Sequence, residues 1–231
     1  MKKCFALLAL VLFLTASGLA QEKIRKSVFG ASTGVSVPYK EFAYKTFRYD
    51  AGFAAPGPNL KAEYQYYGNY FGFSSGIGYS SLFFNEKAYR AEYDRTLNGY
   101  GTNTVSAGNY QVLEILVGFI LKLPEINHTD VMLLFHLGFA KSVHPDLVVT
   151  NSEYGVINSI GRNAGECPAA NAGIRVNHWL NEKYGVSFNC SLSSTTPSFG
   201  DSTGPGGSFL MPVKYANINV GFVMNLKSPS L

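Results

Sequence analysis

The sequence predicts an all-β protein, a closed eight-stranded antiparallel up-and-down transmembrane β-barrel. Three observations carry that expectation. Apolar residues alternate with polar or small ones in eight separate segments, which is the period of a strand and not of a helix. The connections between those segments are alternately short and long, as in barrels with short turns on one side of a membrane and long loops on the other. Charged residues make up only 15% of the chain, against roughly 25% in a soluble domain, while aromatics reach 14%, with 17 Phe and 15 Tyr.

At 231 residues the chain is one domain long and short for two. It opens on a positive start, Met1-Lys2-Lys3, then an apolar run from Phe5 to Leu14 and the small residues Ala16, Ser17, Gly18 and Ala20. That is the order of a secretory signal peptide. Residues 1–20 are therefore expected to be removed, leaving residues 21–231 as a single barrel domain. The apolar run is too short for a transmembrane anchor, which needs about 20 residues. Without Lys2 and Lys3 the balance is 17 basic against 15 acidic residues, which is no electrostatic footprint for nucleic acid.

The first strand is expected near Val28–Tyr39, with Phe29, Ala31, Thr33, Val35 and Val37 on one face. The second is the clearest: Leu60, Ala62, Tyr64 and Tyr66 alternate with Asn59, Lys61, Glu63 and Gln65. The third runs near Tyr70–Phe83, its Phe71, Phe73, Ile77 and Tyr79 opposite Gly and Ser. The fourth, near Tyr110–Leu123, and the fifth, near Val131–Lys141, carry Leu, Ile, Val and Phe at every second position. The sixth lies near Ala169–Leu180, the seventh near Tyr184–Ser194 and the eighth near Met211–Leu226.

Three connections are short, at 67–69, 124–130 and 181–183; four are long, at 40–57, 84–109, 142–168 and 195–210. An even strand count leaves both termini on the short-turn side, where an exported chain arrives. In lipid every backbone N–H and C=O must be paired internally, so the sheet has to close. Tyr66, Tyr70, Phe71 and Tyr184 at the short-turn ends, with Tyr39, Tyr79, Phe83 and Phe84 near the long-loop ends, would form the two aromatic girdles. The competing architecture is a soluble periplasmic ligand-binding barrel, which turns its Phe and Leu faces inward. Polar faces built from Gly, Ser and Asn suit a narrow lumen better than a solvated exterior.

Two segments carry a resemblance. The Gly-rich FGASTGVSVPY of Phe29–Tyr39 is similar to the first strand of the outer-membrane β-barrel domain family of Gram-negative bacteria, including its PorT-like members. The last strand carries Asn219, Gly221, Met224 and Leu226 at the spacing of the C-terminal signal read by the barrel assembly machinery. It departs from that signal in having Leu226 where an aromatic is usual and five residues beyond it. The resemblance implies an outer-membrane location and contact with outer-membrane lipids, lipopolysaccharide and the assembly machinery.

Lys61, Glu63, Glu114, Lys122, His136 and Arg175 share the polar, inward parity. Buried charges are costly unless paired, so a Glu63/Glu114–Arg175 network is expected near mid-height, with Lys61 and His136 beside it. Eight strands make an interior that side chains can fill, which favours a plug over a narrow pore. A lipid-A-modifying barrel would need a catalytic constellation on the lipid face. His178 is the histidine at that parity, with Val176 and Leu180 two residues away and no paired acid. No catalytic, cofactor or metal residues are therefore assigned. Cys190 should lie opposite about Arg175 and Cys167 in a long loop, too far apart for a disulfide. Loops 84–109 and 142–168 mix charge with tyrosine, as a surface for a partner would. The expected role is non-enzymatic: structural, adhesive, or accessory to surface transport or secretion.

Overall fold

The computed structural model describes residues 26–47, 51–96, 101–200 and 208–226; the expected signal segment lies outside them. Eight long strands form the wall: β1 (Lys26–Pro38), β2 (Gly57–Tyr67), β3 (Phe71–Phe84), β4 (Tyr110–Lys122), β5 (Thr129–His144), β6 (Asn163–Trp179), β7 (Tyr184–Thr195) and β8 (Val213–Asn225). Each pairs antiparallel with its sequence neighbours, and β1 pairs with β8 from Val28↔Asn225 to Pro38↔Tyr215. The sheet is closed, so the wall has no edge that would expose unpaired backbone to lipid.

The register fixes the shape. Followed strand by strand from Ala169 through Gly138, Leu116, Gly76, Glu63, Gly30, Val223 and Gly185, it returns to β6 at Trp179, a stagger of ten residues. With about 3.3 Å per residue and about 4.8 Å between strands, that stagger tilts the strands by about 40°. Membrane barrels of this size fall in that range.

The short turns have local causes. Asn127 and His128 both have positive φ (48° and 60°) between the bridged residues Ile126 and Thr129, the geometry of a type I′ hairpin turn. Asn181 Oδ1 accepts the backbone N–H groups of Lys183 and Tyr184, an Asx turn that reverses the chain into β7. Strand β1 begins and β8 ends on this side, where the N–H of Leu226 donates to the carbonyl of Ser27.

On the other side the strands run further out than the alternation alone indicates, and the long connections fold. Residues 86–96 form a helix, α1 (Glu86–Thr96). Short strands at Asn103–Ala107, Leu147–Asn151 and Gly155–Ile160 make a three-stranded sheet. A further ribbon pairs Ser198–Gly200 with Ser208–Leu210. Asn85 caps α1 by accepting the N–H of Ala88 through Oδ1.

The two faces of the wall are opposite in character. Leu137 and Phe139 are 69% and 72% exposed, and Phe119 is 61% exposed. Outward-facing Phe, Leu, Ile and Val form a continuous belt, which excludes the soluble barrel with its apolar faces turned inward. No described helix is long and apolar enough to cross a membrane; the strands cross it.

Candidate functional site

The lumen is filled in three layers. The floor, on the short-turn side, is organised by Asp130. Its Oδ2 accepts from Trp179 Nε1 (2.8 Å), Tyr67 OH (2.9 Å) and Lys26 Nζ (3.2 Å), and Lys122 Nζ stands 2.6 Å from Oδ1. Lys26 also lies 5.0 Å from the Trp179 ring and Lys122 5.6 Å from the Tyr67 ring, both within cation–π range. Val28, Ile120, Met132, Leu134 and Val223 close the space around them. Asp130 falls at the end of a segment expected to be a turn. Its even-numbered parity with Met132, Leu134 and His136 is the signal that places it inside.

The middle layer holds the expected network, in part. Arg175 donates two parallel hydrogen bonds to Glu63, Nη1 to Oε1 at 2.8 Å and Nη2 to Oε2 at 2.9 Å. Lys61 Nζ lies 2.9 Å from Glu63 Oε2, and Gln65 Nε2 donates to Oε1 at 2.8 Å. His136 is tied elsewhere: Nε2 is 2.5 Å from Ser74 Oγ, and Nδ1 is 3.4 Å from Asn171 Oδ1. Amides and hydroxyls continue the layer. Asn171 donates to Ser191 and Ser193, Asn59 and Ser36 bond to Asn217, and Asn219 donates to Asn59.

Glu114 does not join Arg175, and that expectation is corrected. The register pairs Glu114 with Ala140 and Ala140 with Cys167. Eight residues along β6 take Arg175 about 20 Å lower than Cys167 on the barrel axis, while two strand steps take Glu114 only about 6 Å lower, so the two carry a height difference of about 14 Å. Its Oε2 accepts from Ser193 Oγ at 3.4 Å. Parity shows which residues face inward; the stagger decides which meet, and one sequence does not show the stagger.

The upper layer is apolar and aromatic. Leu82, Tyr110, Val112, Leu116, Val213 and Tyr215 point inward, although most of the lumen parity reads as Gly, Ser and Asn. Two loop residues complete it. Phe42, from the turn Lys40–Ala43, and Phe199 are both fully buried in the mouth. Tyr110 OH donates to the carbonyl of Gly52 at 2.6 Å, fastening the loop above.

Over the mouth sits a cap. Tyr89 and Tyr93 of α1 are one turn apart and pack against Val105, Leu147 and Val149 of the small sheet. Phe47 meets Tyr89 and Tyr93 at 5.0 and 5.1 Å between ring centres, and Phe53 meets Tyr89 at 4.9 Å. Glu86 Oε1 accepts the N–H of Ala107, and Asp94 accepts from Asn103. Glu92 accepts from Arg95 and from the N–H of Phe47; these bonds hold its carboxyl below the ordinary value, Arg95 having the larger effect. Burial among the rings pushes the Tyr89 phenol up. The helix has a sequence signal: Asn85-Glu86 as a start and tyrosines at i, i+4. Phe84, expected in a girdle, instead turns inward and packs on Tyr89 and Tyr110.

Cys167 is on β6, not in a loop, and Cys190 pairs with Ile174, one residue from the expected position; both thiols are free. His178 Nδ1 lies 3.0 Å from Thr129 Oγ1 at the exposed lower rim. In β8, Asn219 and Gly221 face inward, Met224 and Leu226 follow at the lower end, and Gly221 lies against Ser32 of β1.

The chain is similar in fold to Ail, the attachment invasion locus protein of Yersinia pestis, at 16% identity over 87% of this chain and 98% of that one, with a TM-score of 0.45. It is similar to Neisserial surface protein A at 9% identity over 88% and 100%, TM-score 0.48. A major outer membrane protein from Thermus thermophilus shows 12% identity over 86% and 98%, TM-score 0.49. No family model and no curated protein sequence matches the chain. The apolar belt, the closed wall and the short turns on the side where β1 begins and β8 ends make this an outer-membrane β-barrel protein.

Proposed function

We propose that the chain is a non-conducting surface barrel, whose wall anchors a folded cap for structural or adhesive contact outside the cell. The observation that supports this reading is the filled lumen. An apolar plug, a polar layer crossed by the Glu63–Arg175 pair and a charged aromatic floor lie in series. A pore would need a water path through all three. Material above the mouth is ordered by ring contacts and side-chain hydrogen bonds, as a binding surface carried on a rigid scaffold requires.

The reading keeps the chain with the small barrels, PorT-like ones included, that its first strand resembles. It also keeps lipopolysaccharide around the belt and the assembly machinery as partners. An enzyme is the weaker alternative, because the hydroxyl beside His178 is Thr129 and its hydrogen bonds among the described residues reach no carboxylate.

The test replaces residues 86–107 with a short turn. The barrel should still shift on a gel between unboiled and boiled samples, while cells carrying the variant lose adhesion to surfaces or matrix that the intact protein confers. Unchanged adhesion would overturn the cap's role, and ion conductance by the intact protein in a planar bilayer would overturn the sealed barrel.

A further inference from the structure

The outer wall carries a groove that follows the register. Two rows of outward side chains cross it side by side, one from Tyr66 on β2 to Leu192 on β7, the other from Tyr64 to Ser194. Between them the wall is hollowed over about 900 Å³. Its lining includes small residues, Ser75 on β3, Gly118 on β4 and Ala170 and Ala172 on β6. Neighbouring positions hold Phe73, Phe119, Phe135 and Leu137, which form the banks.

Its course follows from the tilt. Register lines run perpendicular to strands tilted by about 40°, so the groove climbs the wall at about 50° to the barrel axis. Five steps between strands give about 24 Å of length, which at that slope rises about 15 Å, half of the roughly 30 Å hydrocarbon core. The lower end opens at Tyr64 and Tyr66 on the short-turn side. The upper end opens at Ser194 and Tyr39 near the mouth.

The two ends differ in charge. Lys214 is the register partner of Ser194 on β8, and Lys40 follows Tyr39 with an exposed side chain. Glu41 lies between them and holds Lys214 Nζ at 3.0 Å, so the upper end combines two cations with one carboxylate. A hydrocarbon track with cations at its outer-leaflet end matches an anionic lipid whose headgroup sits outside.

We propose that this groove retains one acyl chain of a phosphorylated outer-leaflet glycolipid of the lipid A class, its phosphate resting at Lys214 and Lys40. This needs only the membrane belt and not the cap's role, so either reading can fail alone. Lipid inserted in the track keeps its place because small side chains let it approach the wall where ordinary annular lipid meets Phe and Leu.

The experiment is native mass spectrometry of the barrel extracted in mild detergent and exchanged into a lipid-free one. Three variants accompany it: Ala172→Phe, which fills the track; Ala31→Phe, a matching change on β1 outside it; and Lys40→Gln with Lys214→Gln. All must show the boiling-dependent gel shift of a folded barrel. The wild type and Ala31→Phe should carry one lipid A adduct, and Ala172→Phe should lose it. The lysine variant should lose preference for phosphorylated over dephosphorylated lipid A. The proposal is overturned by a wild type without an adduct, by retention of a glycerophospholipid instead, or by equal retention in Ala172→Phe. An unchanged phosphate preference in the lysine variant overturns the headgroup position.

Discussion

Arg175 and Glu63 stand on opposite walls of the barrel, β6 and β2, and meet across the lumen through two parallel hydrogen bonds of 2.8 and 2.9 Å. Both side chains are almost fully buried. The planar guanidinium matches the carboxylate edge to edge, which a lysine at 175 would not reproduce. Lys61 and Gln65 approach the same carboxylate from its own strand.

Removing one partner should therefore cost more than removing both. Glu63→Gln leaves the Arg175 charge buried without its counter-ion, a loss of about 3–5 kcal/mol for a broken buried pair. Arg175→Met leaves Glu63 with Lys61 and Gln65 and should cost less than that. The double variant, which buries no charge at either position, should recover most of the loss. Urea unfolding in micelles, followed by fluorescence of the single Trp179, measures all three. Additive losses would mean that the pair does not act as a unit.

The plug and the ion pair block the lumen in series, so neither should open it alone. Phe42→Ala with Phe199→Ala removes the two loop rings from the mouth but leaves Arg175 across the middle. Arg175→Ala clears the middle but leaves the mouth packed by Phe42, Phe199, Tyr110 and Tyr215. Planar-bilayer recordings should show no steps for either, none when the three substitutions are combined because the floor around Asp130 stays closed, and steps only when Tyr67→Ala and Trp179→Ala are added. Conductance in Phe42→Ala/Phe199→Ala would show that the polar layer and the floor pass water and ions.

The cap should loosen in acid. Glu92 accepts from Arg95 and from the N–H of Phe47, and its carboxyl is held below the ordinary 4.5. A group whose folded pKa is depressed contributes stability that is fully present above the unfolded value and is lost as pH falls through the folded one. Limited proteolysis of the folded barrel should therefore cut residues 86–107 faster below about pH 4.5 than at pH 7. Glu92→Gln should bring that faster cutting to neutral pH. A cutting rate independent of pH in the wild type would mean that the ring contacts alone hold the cap.

The wall was legible because lipid imposes one strict alternation on every strand. Each of the eight barrel strands overlaps its expected segment, and outward Phe and Leu follow the parity read from the sequence. The lumen was less legible, since its neighbours are set by a ten-residue stagger that no local pattern records. Glu63 and Arg175 meet for that reason, and Glu114, of the same parity, accepts from Ser193 instead. The cap was illegible as loops because its order comes from contacts between segments far apart in sequence, such as Asn158 with Tyr93 at 2.8 Å. Phe42 and Phe199 gave no signal at all: an aromatic residue in a polar loop reads the same whether it seals a lumen or faces solvent.

The eighth strand carries two explanations for one glycine, and they can be separated. A Cβ at Gly221 would lie 2.4 Å from the Cβ of Ser32 and 2.3 Å from the carbonyl oxygen of Ala31, closer than side chains pack. The strand pair that closes the barrel needs glycine there for space. Asn219 has a structural task too, donating to Asn59. Met224 and Leu226 carry no such burden at the lower end. Gly221→Val should thus fail to fold from urea into detergent micelles, where no assembly machinery is present. Leu226→Asp should fold normally in micelles but reach the outer membrane poorly in cells, and Leu226→Phe should assemble at least as well as the wild type. Failure of Leu226→Asp in both settings would assign the end of β8 to packing and remove it from recognition by the machinery.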